Sequence, residues 1–170
     1  PRRVHRSRER RRCRIRQQPR ESSFGPSVIR TRTLLRAALS SDIDTLQSIF
    51  GGRGCRRPGG YTFAEFEIGL ENFQRFLAPR GIKATLFMVG RDFQRPADHG
   101  VIRAMHAAGH EIANHTLTHA QGFRQLDVVA KEAEIAGMEE ACVAAIGRRP
   151  IGFRSPGWNM SDDAIAILQR

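Results

Sequence analysis

The segment EIANHTLTHA, residues 111–120, holds two histidines four residues apart, His115 and His119. Neutral imidazoles bind Zn²⁺ and similar ions, and this spacing lets both rings face one ion from a helical turn or a tight strand-to-helix bend. Alone, the pair is equally compatible with two polar side chains on a surface turn. His106 and His110 share the spacing, but Gly109 between them spoils a common helical face. The HExxH protease pattern is absent, because Asn114 stands where its second histidine is required. Two further groups suit the same chemistry. Glu65 and Glu67 in YTFAEFEI are two residues apart, so on a strand both carboxylates share one face. Arg154 in GFRSPGW supplies a fixed cation, and Trp158 a ring with a flat apolar face. The plainer readings are two solvated edge-strand carboxylates, an exposed arginine before a proline turn, and a packing aromatic.

These residues need elements to bring them together. After the breaker GGRGCRRPGG at 51–60, short apolar runs alternate with amphipathic stretches. The pattern predicts strands at 61–68, 84–90 and 110–114, with a fourth strand end in GFRSP. Between them, helices are predicted at 70–77, stopped by Pro79 and Gly81, at 96–109, and within 125–146, ended by Gly147 and Pro150. A last helix starts after Ser161, a candidate N-cap. Four strands alternating with four helices imply parallel βαβ units, whose functional side chains gather at the carboxyl ends of the strands. Glu65, Glu67, His115, His119 and Arg154 would then share one rim.

Charge divides the chain differently. Residues 1–60 carry sixteen arginines, no lysine and four acids, a net +12, so the remainder of a chain whose total is +11 carries −1. The Arg-rich run RRVHRSRERRRCRIR has no interleaved aromatics and no apolar helical stripe, which favours a solvated, disordered extension over a nucleic-acid-binding arm. A short helix is expected within 33–50, and the domain boundary at 51–60. Cys13, Cys55 and Cys142 are odd in number and widely spaced, suggesting neither a disulfide framework nor a zinc knuckle. No apolar run of about 18 residues predicts a membrane span, and no signal peptide is visible ahead of a start that lacks Met. Compartment is left open between bacterial cytoplasm and cell envelope.

Three segments from residue 61 onward, in order, resemble the polysaccharide deacetylases, the NodB-like carbohydrate esterase family 4. GHEIANHTLTH resembles the family's second motif, GIKATLFMVG its second strand, and GFRSPGWNMSDDAIAIL its third motif with the helix that follows. The resemblance implies an irregular (β/α) barrel of α/β class, here about four βα units of an incomplete domain over 61–170. It implies a divalent metal, Zn²⁺ first with Co²⁺, Ni²⁺ or Mn²⁺ also suitable, on His115, His119 and a carboxylate, and an N-acetylated sugar as substrate. The family's first strand carries TFDD or a D-x-[DE] variant. Setting TFAE on TFDD aligns Ala64 with the base and Glu65 with the ligand; setting EFE on the variant makes Glu65 the base and Glu67 the ligand, the preferred alignment because both carboxylates stay on one face. Arg154 would orient the base, and Pro156, Gly157 and Trp158 would lie against substrate. The family's late histidine, a general acid, has no counterpart, since His119 is the last histidine. The expectation is therefore an amino-terminal portion of a deacetylase, possessing the site but inactive if the missing part is required. Nucleic-acid or anionic-surface binding through the arginines is the alternative.

Overall fold

The structure, a computed structural model, describes residues 37–51, 64–93 and 99–170. Most of the Arg-rich segment, and with it the expected disorder and the nucleic-acid alternative, lies outside the described residues. The first described strand, β1, is Leu39–Ile43, followed by helix α1 at Leu46–Gly51. Helix α2, Ala64–Leu77, leads to β2, Ala84–Met88, and α3, His99–Ala107, leads to β3, Glu111–Asn114. The long helix α4, Val128–Ile146, and the short α5, Asp162–Leu168, complete the order. The three strands form one parallel sheet in the order β1-β2-β3, and an isolated parallel bridge from Asn114 to Phe153 adds the beginning of a fourth position. This is the α/β parallel arrangement expected, with the fourth strand reduced to one bridge.

Two expectations are corrected. Residues 64–68 are the first turn of α2, not a strand, because Phe66, Leu70 and Leu77 follow the helical period and all three are buried. Alternation in YTFAEFEI is a weaker pattern than this stripe. In turn, the helix expected within 33–50 is interrupted: Leu39–Ile43 is the strand, and only Leu46–Gly51 is helical. A different segment thus supplies the first strand. The domain boundary expected at 51–60 lies, apart from Gly51, outside the described residues.

Register brings the strand ends level. Asp42 pairs with Phe87 and Ile43 with Met88, while Phe87 pairs with Ala113 and Met88 with Asn114. The residues that follow, Asp44, His115 and Arg154, therefore emerge at one rim. On the helix-covered face, Ala84, Leu86 and Met88 pack with Leu70, Ile102, Met105 and Met138. Phe87, of opposite parity, takes the other face, where its ring lies 4.0 Å from the Arg154 guanidinium and edge-on to His115. Helix α4 starts at an Asp127 cap whose side chain accepts from the Ala130 N–H, and ends at Gly147 with φ 72°. At α5, Ser161 occupies the N-cap position, but its hydroxyl donates to Asp163. Among the described residues no helix is long and apolar enough to cross a membrane.

Candidate metal centre

The centre is built from three chain segments at the sheet rim, those that follow β1, β3 and the Phe153 bridge. His115 follows β3 directly and is 1% exposed at its side chain; His119 closes the next turn and is almost as buried. Thr116 and His119 have φ of 68° and 56°, an uncommon conformation for non-glycine residues that folds the chain tightly enough to set the two rings 5.1 Å apart. Local bonds hold it: the Asn114 side chain accepts from the Thr116 N–H, and the Thr116 hydroxyl accepts from the His119 N–H.

Opposite these rings stands Asp44, the residue after β1. Its oxygens lie 3.6 Å from His115 Nε2 and 3.5 Å from His119 Nε2. One donor atom from each of Asp44, His115 and His119 falls within 4.8 Å of the others, the one such grouping of these residue types among the described residues. Asp44 Oδ1 is buried without a hydrogen-bond partner. A buried carboxylate oxygen with no donor is costly, and a cation is one of the few partners that removes the cost.

The tautomer of His115 follows from its second bond. Its Nδ1 lies 2.7 Å from the main-chain oxygen of Arg154, which can only accept, so Nδ1 carries the proton and Nε2 presents a lone pair toward Asp44 and His119. Burial lowers the His119 pKa from its ordinary value, with Asp44 opposing that shift, so this ring favours its neutral form. Its Nδ1 is 3.2 Å from the Gln121 side-chain amide. Two imidazoles and one carboxylate, with no further protein ligand in the grouping among the described residues, form a donor set suited to a divalent cation with open positions.

Asp42 sits beside this triangle. Arg154 donates to its Oδ1 at 2.5 Å and to the Ser40 hydroxyl at 2.8 Å, and Oδ2 is 3.9 Å from His115 Nε2. The guanidinium is held between Phe87 and Trp158, 4.0 Å and 4.4 Å from their ring centroids. Trp158 is 73% exposed, on a turn from Pro156 to Trp158 in which Gly157 and Trp158 both take positive φ.

Of the residues expected from sequence, the structure brings together His115, His119 and Arg154, with Trp158 stacked on the last. Glu65 and Glu67 are not at the rim's first strand. They occupy the first turn of α2, Glu65 exposed and Glu67 half-buried, and neither enters the cation-sized grouping. Asp42 and Asp44 stand where those carboxylates were expected. The signal was present in SSDID: two aspartates at i and i+2, the same rule that favoured EFE.

Residues 66–170 match the polysaccharide deacetylase family. A chitin deacetylase of Pestalotiopsis sp. is 30% identical over 93 residues, covering 54% of this chain and 31% of that protein. Among solved structures, a carbohydrate esterase family 4 pseudoenzyme of Bacillus anthracis aligns with a TM-score of 0.59 at 17% identity, over 78% of this chain and 39% of its own. A family 4 carbohydrate esterase of Streptomyces lividans, in complex with acetate, aligns at 0.54 and 23% identity, over 78% and 56%. These likenesses bear on the fold. The chain spans less than a third of the curated relative. Asp42 and Asp44 lie upstream of the matched stretch, and it is sheet register that brings them to its histidines.

Proposed function

The chain belongs to the polysaccharide deacetylase family, and from that premise we propose that it hydrolyses the N-acetyl amide of a carbohydrate at a divalent cation held by Asp44, His115 and His119. The observation that carries this reading is the convergence of those three donors within 4.8 Å beside the Asp42–Arg154 pair. A cation bound there would lower the pKa of a water toward neutrality and polarise the acetamide carbonyl. Zn²⁺ suits the donor set best, with Co²⁺, Ni²⁺ or Mn²⁺ as substitutes.

The remaining work belongs to the chain's own side chains. Asp42 is the general base and accepts the proton of the attacking water. Arg154 fixes Asp42 by binding Oδ1, which leaves Oδ2 on the side of the histidines. The His115 ring is held in the ligating tautomer by the Arg154 carbonyl, so one residue orients both base and ligand. Acetate and a free amine are the products. Trp158, exposed and backed by Arg154, offers one face to a sugar ring, and the Pro156–Gly157 turn sets its position. What supports turnover here is the Asp42–Arg154 pair standing beside the three donors.

The test is uptake of Zn²⁺ by the purified chain, with acetate release from an N-acetylglucosamine oligomer measured in parallel. One ion bound per chain, lost on His119→Ala, supports the assignment. A chain that takes up no Zn²⁺, Co²⁺ or Ni²⁺ removes it.

A further inference from the structure

Helix α4 contains a glycine, Gly137, in its interior, where glycine is among the poorest helix formers and calls for a packing reason. The reason is Leu117, the middle residue between the two histidines. A Cβ added at Gly137 would lie 2.6 Å from Leu117 Cδ2 and 3.2 Å from its Cγ; one added at Gly90 would lie 2.9 Å from Leu117 Cδ1 and 3.2 Å from its Cα. Real Cβ atoms essentially never approach below 3.0 Å. Leu117 is thus seated in a notch that two glycines keep open from opposite elements, so yielding to one side moves it against the other.

The polar groups of the same turn are matched to the same two elements. The Leu117 N–H donates to the Glu134 carbonyl at 2.8 Å, and the Thr118 N–H and hydroxyl both donate to the Glu134 carboxylate, at 2.9 and 2.6 Å. From the other side, the Gly90 N–H donates to the Thr116 carbonyl and the Arg91 N–H to the Leu117 carbonyl. Glu134 and Gly137 are one helical turn apart, on one face of α4.

We infer that the Gly90–Gly137 notch and the Glu134 carboxylate are positioning parts of the metal centre, setting the separation of His115 and His119 through the seat of Leu117 and Thr118. This rests on the assignment of Asp44, His115 and His119 as ligands. None of the positioning groups touches the ion; each acts through the turn that aims the imidazoles, where small displacements of ligands are expensive.

The experiment uses the full chain and reads three quantities: Zn²⁺ affinity, the visible absorption of bound Co²⁺, and thermal unfolding in chelator. Gly137→Ala is expected to lower Zn²⁺ affinity about 10- to 100-fold and weaken the Co²⁺ bands, while helix propensity keeps thermal unfolding from falling in proportion. Leu117→Ala with Gly137→Ala should lose less than the two single losses combined, because the clash needs both side chains. Glu134→Ala should weaken affinity about tenfold or more and Glu134→Gln much less, since an acceptor for the Thr118 N–H is kept. These two variants also decide the matter if Gly137→Ala does not fold. Wild-type affinity in Gly137→Ala, strictly additive losses, or wild-type affinity in Glu134→Ala would overturn the inference while leaving the metal centre intact. Failure of the unaltered chain to bind Zn²⁺ would overturn both.

Discussion

The His115 imidazole and the Arg154 main chain are joined by a 2.7 Å hydrogen bond, while the Arg154 side chain binds Asp42 at 2.5 Å. A single residue therefore touches a metal-ligand candidate with its backbone and a base candidate with its guanidinium. Substitution of the side chain separates the two functions. Arg154→Lys or Arg154→Met should leave Zn²⁺ affinity within about threefold, because the carbonyl is retained, but reduce acetate release about 10- to 100-fold by freeing Asp42. Measuring binding and turnover on the same preparation checks this; equal losses in both would contradict the division.

Asp42 and Asp44 are distinguished in the same way. Asp44→Asn removes a charged donor and should lower Zn²⁺ affinity by at least about tenfold, as should His115→Ala and His119→Ala. Asp42→Asn should keep most of the affinity and lose about 10²- to 10⁴-fold in turnover. Glu67→Gln, on α2, should change neither. Loss of Zn²⁺ in Glu67→Gln, with binding retained in Asp44→Asn, would return the assignment to the sequence-based expectation.

Stability should depend on pH through Asp92. This carboxyl is 6% exposed, accepts from the Thr45 hydroxyl at 3.0 Å and has a second oxygen without a partner. Burial pushes its pKa up to about 7, against Thr45 and Arg91, which pull it down. A carboxyl with a raised folded-state pKa binds protons more readily folded than unfolded. Its contribution is complete below about pH 4 and is lost as pH rises through about 7, at most about 4 kcal/mol for such a shift. Urea unfolding in chelator at pH 5 and pH 8 should show wild type losing stability between them and Asp92→Asn losing less. An unchanged slope in Asp92→Asn would exclude the carboxyl as its source.

A chain beginning at residue 61 tests the sheet. It lacks β1, Asp42 and Asp44, so it should fail to bind Zn²⁺ and should expose the β2 edge that β1 covers. A chain beginning at residue 37 should bind as the whole does. Titration of both with Zn²⁺ is decisive, since equal affinity would mean that β1 contributes nothing to the centre.

Much of this architecture was legible in the residues. ATLFM is an apolar run that forms the middle strand, EIAN follows the glycine that ends the preceding helix, and the α4 sequence is long and ends in glycine, so periodicity and punctuation sufficed. His115, His119 and Arg154 were found because two short motifs place them directly after strands. The segment LSSDI was not, and its burial says why: its first two residues are exposed and the other three only half-buried, so it never forms an apolar run. Leu34, Leu35, Ala38 and Leu39 read together as a helical face, a pattern that took in Leu39, the first residue of the strand. In α2, Phe66 looks like a strand residue until Leu70 and Leu77 are read with it. The notch for Leu117 is a tertiary fact, and an interior glycine in α4 was its one advance sign.

The placement of Asp44 after β1 and of the histidines after β3, with β2 between, has a consequence for the lifetime of the outer strand. An ion shared by Asp44 and both rings would act as a rivet across the sheet, tying a terminal strand to one it does not touch. Its departure would then be coupled to fraying of Leu39–Ile43, as binding energy is coupled to local order. A chelator would do more than silence such a centre: it would loosen Leu39–Ile43 and open that strand to proteolysis.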